Sequence, residues 1–133
     1  MMENEPYHYW RDVQRTQLGI SANLFMIFAS AIFGYVVNFL VTKPQALCIV
    51  KVLLSIGAIH LVLSLLFYGL FVFNRLFDFR KTARLYGQGK SEGVVGKLTR
   101  RIGKCSWYLF YAQIGWLIFG FVFSLIGLGF YIY

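Results

Sequence analysis

Three long runs of this chain carry no Asp, Glu, Lys or Arg: Leu18 to Val41, Val52 to Phe73 and Ser106 to Tyr133, of 24, 22 and 28 residues. An α-helix rises about 1.5 Å per residue, so roughly 20 apolar residues cross the hydrocarbon of a bilayer. Each run is long enough for one crossing and too short for two. Water is a poor solvent for such a chain. Of its 133 residues 59% are hydrophobic and 14% charged, against a usual charged share of about 25%. A small water-soluble domain has too much surface for its volume to hide that apolar area. The expected architecture is an all-α integral membrane protein: three transmembrane helices (18–41, 52–73, 106–133), with a cytoplasmic helical hairpin between the second and third.

Inside the spans, small and polar residues fall on narrow stripes. At about 100° per residue, Gly19, Asn23, Ser30 and Gly34 share roughly 60° of arc on the first helix, and Asn38 is a further amide in the same run. Ser30 and Gly34 form a small-xxx-small pair, which lets helices approach closely in lipid. Amides are costly against acyl chains and are expected to face protein or water. The second span carries Gly57, His60, Ser64 and Tyr68 on one face; the third carries Gln113, Gly120, Ser124 and Gly127. These stripes are the candidates for helix packing or for lining a pore. His60 is the one imidazole inside a span. With no acidic partner in any span, the favoured reading is a neutral ring hydrogen-bonded to a neighbouring helix, and the alternative is a proton relay or ligand.

The connecting segments set the orientation. Residues 1–17 sum to −1, the segment 42–51 to +2 and the stretch 74–105 to +7, the last holding nine of the thirteen Lys and Arg. Cytoplasmic loops hold the excess of basic residues, so 74–105 and the N-terminus are expected inside and the C-terminus outside. Residues 1–17 read as a short helix at the interface or leading into the first span, with Tyr7, Tyr9 and Trp10 at headgroup level; the alternative is a frayed polar terminus. Pro44 falls in the 42–51 turn, which is short enough to force an antiparallel pair; it is a possible start for the next helix. Lys51 is expected to place its ammonium in the headgroups, and Gly129 to loosen the end of the third helix. Two acids before the first base argue against a secretory signal, and no lipidation pattern is visible. On this topology Cys48 and Cys105 lie at opposite faces and cannot pair within one chain.

In the 74–105 stretch the second helix is expected to project from the membrane to Tyr86, stop at Gly87-Gln88-Gly89, and give way to a further helix with Ser91 as N-cap. Arg75, Asp78, Arg80, Lys81, Arg84, Arg100, Arg101 and Lys104 are the candidate contacts to a soluble partner or to lipid; the last three, beside the third span, suit anionic headgroups. Gly87-Gln88-Gly89-Lys90-Ser91 imitates the end of a phosphate-binding loop, but Arg84 stands where that motif needs glycine, and a helix rather than a strand precedes it. No carboxylate pair, metal cluster or activated nucleophile emerges, so no catalytic, cofactor or metal site is expected, and no direct nucleic-acid binding.

Two stretches carry a resemblance. Tyr9-Trp10-Arg11 followed by Gln17-Leu18-Gly19-Ile20-Ser21-Ala22-Asn23-Leu24-Phe25, and Asn74-Arg75-Leu76-Phe77-Asp78-Phe79-Arg80-Lys81-Thr82-Ala83-Arg84, resemble the SLATT-type small bacterial membrane proteins. That resemblance covers about a quarter of the chain and supplies no catalytic residue. It implies an effector of a bacterial conflict or phage-defence system that perturbs the inner membrane. The expected function is thus an oligomeric inner-membrane effector, pore-forming or membrane-perturbing, controlled through its basic stretch. A non-catalytic scaffold recruiting a soluble partner is the alternative, and a small transporter or channel the third reading.

Overall fold

The computed structural model describes the backbone of residues 5–87, 89 and 92–133, and the side chains of these other than 5–8, 79, 82, 83, 85, 86, 92–100 and 102. The chain is all-helical: α1 spans Glu5–Thr42, α2 Cys48–Gly87 and α3 Glu92–Ile132. Their 38, 40 and 41 residues make rods of about 60 Å, twice the hydrocarbon thickness. Each contains a stretch long and apolar enough to cross a membrane: Tyr9–Thr42, Cys48–Asp78 and Gly103–Ile132. Residues 5–17 are helical and continuous with the first membrane helix; residues 1–4 and the side chain of Tyr7 lie outside the described residues. Ser91 and the side chain of Arg100 lie outside the described residues.

Between α1 and α2 the chain turns in five residues, 43–47. Lys43 N–H still bonds the Phe39 carbonyl at 3.0 Å and Ala46 N–H bonds that of Lys43 at 3.2 Å. Pro44 therefore belongs to the turn, and α2 begins four residues later than a proline start would give. Lys51 is held locally: its ammonium folds back and donates to the Pro44 carbonyl. At the other end of α2, the helix stops at Gly87, and Gly89 has φ +69°, a left-handed conformation that glycine adopts freely. Helix α3 runs through Gly129, whose carbonyl accepts Tyr133 N–H at 3.1 Å; the expected loosening there is absent, and Tyr131 packs edge-on against Phe39 at 4.8 Å.

Three layers of buried side chains stack along the bundle. Leu18, Ala22, Phe71 and Phe110 form the layer at the basic end, Ala29, Leu61 and Leu117 the middle, and Val36, Val50 and Leu54 the layer nearest the turn. This order makes α1 and α3 parallel, with α2 antiparallel to both. Only 11% of the most apolar stretch of α1 is buried, against 28% for α2 and 22% for α3. The α2–α3 pair is the frame, and α1 leans on it. Large apolar side chains such as Phe28, Ile59, Leu66 and Phe119 point outward, the expected arrangement where the solvent is acyl chain.

Candidate functional site

The residues buried between α2 and α3 follow a strict alternation. On α2 they are Val50, Leu54, Gly57, Leu61, Ser64 and Phe71; on α3 they are Ser106, Phe110, Gln113, Leu117, Gly120, Ser124 and Gly127. Steps of four and three give a period of 3.5, and Phe71 falls one full heptad after Ser64. Side chains spaced this way stay on one seam when two helices wind around each other left-handedly. The seam is therefore a coiled coil inside an apolar span, and its residue types change along its length.

Near the turn the seam is made of backbone. A β-carbon on Gly57 would stand 2.6 Å from Ser124 Oγ and 3.1 Å from the Gly120 carbonyl oxygen. One on Gly120 would stand 2.8 Å from Leu61 Cγ and 3.1 Å from the Gly57 carbonyl oxygen, and one on Gly127 would meet Leu54 at 3.1 Å. These glycines are reciprocal: each exists because the opposite helix occupies its side-chain space. Ser124 satisfies its own hydroxyl by donating to Gly120 O at 2.7 Å, which leaves it small and self-contained. Close approach is what holds helices together in lipid, where the solvent is as apolar as a leucine.

Toward the basic end the seam is polar. Ser64 Oγ donates to the Gln113 carbonyl at 2.9 Å and Gln113 Nε2 donates to Ala22 O at 3.2 Å, so one side chain ties α3 to α1 and its backbone ties α3 to α2. Gln113 is fully buried and its Oε1 has no partner. Tyr68 donates to Asn23 Oδ1, joining α2 to α1. Asn74 Nδ2 donates to Ser106 Oγ at 2.8 Å. Interhelical hydrogen bonds of this kind contribute about 0.6 kcal/mol each in a membrane, because the separated helices find other partners. Their number gives register more than strength.

The stripes read from sequence thus divide. Gly57, Ser64, Gln113, Gly120, Ser124 and Gly127 are buried within the protomer, packing α2 on α3. Asn23 lies at the surface but bonds Tyr68. Ser30, Gly34 and Asn38 face outward, and a β-carbon on Gly34 would meet nothing within 4 Å. Among the described residues Ser30 Oγ reaches only the Met26 sulfur, at 3.7 Å. His60 sits at the seam's edge: its Nδ1 pairs with the Ile56 carbonyl at 2.7 Å, in its own helix rather than a neighbour's. A carbonyl only accepts, so Nδ1 carries the proton. Its ring packs among Trp116, Phe119 and Phe123, with centroids at 5.2, 6.2 and 5.4 Å.

At the basic end Arg80, Lys81, Arg84, Arg101 and Lys104 are exposed, while Arg75 and Asp78 are half-buried. Lys81 lies over the Phe77 ring at 6.0 Å. Arg75, one of the candidate partner or lipid contacts, has its guanidinium over Phe71 and in the space beside Gly19 of α1. Cys48 and Cys105 are both free and exposed, at opposite ends of the bundle. No protein-family model matches the chain, and no curated protein or solved structure matches it either.

Proposed function

We propose that the protein is an oligomeric membrane effector of the bacterial inner membrane, in which copies associate through the outer flank of α1. The observation that carries this reading is the open stripe of Ser30, Gly34 and Asn38. The corresponding stripes of α2 and α3 are already consumed within the protomer, whereas this one presents a small residue and an amide to acyl chains. An amide there gains by meeting a second amide. In an assembly built on α1 these residues are the ones available to line a path between copies. The resemblance at Tyr9 to Phe25 and Asn74 to Arg84 to SLATT-type proteins supports an effector role, as does the basic helical hairpin 74–105, which offers a soluble cytoplasmic sensor a polar surface.

Orientation follows the charge: the hairpin and N-terminus in the cytoplasm, the C-terminus outside. A membrane-impermeant maleimide added to intact spheroplasts is expected to label Cys48 and spare Cys105 until the membrane is opened. Labelling in the reverse order overturns the orientation.

The functional test uses Gly34→Ile. The bundle interior has no contact at Gly34, so helicity and thermal unfolding of the monomer are expected to stay at wild-type values. The oligomer, read by light scattering in detergent, is expected to dissociate, and depolarisation of cells on induced expression, read with a potential-sensitive dye, to be lost with it. Wild-type expression that leaves the potential unchanged when the system is triggered refutes the effector reading. That outcome favours the alternative, a scaffold that recruits a soluble partner through the exposed Arg80, Lys81 and Arg84.

A further inference from the structure

Among the described residues, one cation at the basic end lies against an aromatic ring and a glycine rather than in open water. Arg75 is half-buried. Helical side chains lean toward the N-terminus of their helix, and for α2 that direction runs back toward the apolar core. The guanidinium accordingly lies over the Phe71 ring, 5.7 Å from its centroid, with Nη1 in the space that a side chain on Gly19 would fill. Phe71 and neighbouring Leu18 belong to the buried layer at this end. The ring is the one electrostatic partner that Arg75 has among the described residues. A guanidinium carries five N–H donors in a planar fork, and leaving them unmade at the edge of hydrocarbon is costly.

The surroundings specify what answers that fork. Arg15 lies one helical turn below Gly19, about 6 Å along α1, and Arg11 one turn further. Both are half-buried, on the side of α1 that faces the bundle. By register Arg11 and Arg15 add positive charge to the bundle-facing side of α1 at the end where Arg75 meets Gly19, and the planar fork of Arg matches phosphate with two parallel hydrogen bonds. The groove opens where α1 and α2 leave their apolar stretches, the level of lipid phosphates. A phospholipid satisfies both levels at once, its phosphate at the arginines and its chains along the uncovered apolar surface. A soluble phosphate satisfies only the first.

We propose that the α1–α2 groove at the basic end binds the phosphate of an anionic phospholipid. Arg75 is the forked donor, Arg15 and Arg11 stand beside it, and Gly19 is the notch that admits the guanidinium. The lipid then clamps α1, the loosely held helix, to the α2–α3 pair. Placement in the inner leaflet rests on the orientation proposed above; the site itself does not, and its test reads neither topology nor oligomer.

The full chain is reconstituted in nanodiscs of phosphatidylcholine with and without phosphatidylglycerol, and the lipids retained after transfer to detergent are counted by native mass spectrometry. Wild type is expected to retain phosphatidylglycerol selectively and to unfold at higher temperature with it; millimolar inorganic phosphate is expected to do neither. Arg75→Ala is expected to lower retention about tenfold, against the roughly fivefold given by any one basic residue near an anionic surface. Arg75→Lys keeps the charge without the fork and is expected to fall between. Gly19→Leu fills the notch while leaving every charge in place, and is expected to match Arg75→Ala. Arg80→Ala removes an exposed cation and is expected to lower retention by no more than that fivefold. Retention unchanged in Gly19→Leu, or lost equally in Arg80→Ala, overturns the site in favour of diffuse charge. Equal protection by inorganic phosphate overturns the lipid.

Discussion

Gly57→Ala is expected to force α2 and α3 apart and to destabilise the bundle by about 1–3 kcal/mol, the usual cost of overpacking a tight core. One methyl group would stand 2.6 Å from Ser124 Oγ and 3.1 Å from a main-chain oxygen of Gly120. Neither neighbour is the pliable tip of a long side chain. Ser124 is short and hydrogen-bonded to its own helix at 2.7 Å, and the carbonyl is part of the α3 backbone, so relief requires moving a helix. Gly57→Leu is expected to abolish the native α2–α3 pairing altogether. Gly120→Ala meets Leu61 Cγ at 2.8 Å, and the leucine can rotate away at the expense of its place in the middle layer; its effect is expected to be the smaller of the two alanines. Gly69→Ala and Gly115→Ala, where a β-carbon meets nothing within 4 Å, are the controls and are expected to be neutral or slightly stabilising. The measurement is unfolding by denaturant in detergent micelles, followed by tryptophan fluorescence and far-UV circular dichroism. Equal stability of Gly57→Ala and wild type would mean the seam is not closed at this level.

The second large effect is a contrast at Gln113. Truncation in Gln113→Ala removes the bond to Ala22 and hollows a fully buried site, and is expected to cost about 2 kcal/mol. Gln113→Leu keeps most of the volume and removes an oxygen that has no partner. An unmet acceptor in an apolar interior costs about 1–3 kcal/mol, against about 0.5–1.5 kcal/mol for the bond given up. The leucine variant is therefore expected to equal or exceed wild type in stability. What it loses is specification. Gln113 occupies a seam position where every polar neighbour, Ser64 and Ala22 O, is fixed by one register, and a polar residue in such a seam selects register more than it adds strength. Paired cysteines at positions 23 and 68, whose native side chains meet at their tips, are spanned by a short bifunctional maleimide in the native register, since a disulfide needs β-carbons within about 4.5 Å. Their yield is expected to fall in Gln113→Leu while the midpoint holds. A leucine variant clearly less stable than wild type would show that the oxygen is better satisfied than the geometry indicates.

Much of the fold was legible because lipid imposes a coarse rule. Uncharged runs of sufficient length become helices, and the count of three follows from the absence of Asp, Glu, Lys and Arg between residues 18 and 41, 52 and 73, and 106 and 133, whereas the continuation of each helix into charged sequence does not. The seam was half legible. Small and polar residues signalled Gly57, Ser64, Gln113, Gly120, Ser124 and Gly127, but Leu54, Leu61, Phe71, Phe110 and Leu117 share the same seam and are chemically identical to residues that face lipid. Only the 3.5-residue spacing separates Leu61, buried, from Leu66, exposed, and that spacing was present in the sequence. The split of the α1 stripe was not, because Gly19 and Gly34 look alike until Arg75 of α2 is seen to fill the space beside the first and nothing to fill that beside the second. The notch that receives Arg75 was not legible either, because nothing in the sequence sets Gly19 of α1 beside it.

The gradation along the α2–α3 seam has a mechanical consequence. Two rings, Phe71 and Phe110, stand in the seam at one end and Gly57, Gly120 and Gly127 lie toward the other, so the helices approach most closely at the glycines, which act as a fulcrum. From Gly57 to the end of α2 at Gly87 is a rigid arm of about 45 Å. A change of 5° in crossing angle at the fulcrum displaces the tip of that arm by about 4 Å. The packed interior near the turn barely shifts in the process. Read in reverse, a partner pushing on the basic tip works with a long lever against a short load, and the membrane-embedded end feels the greater force.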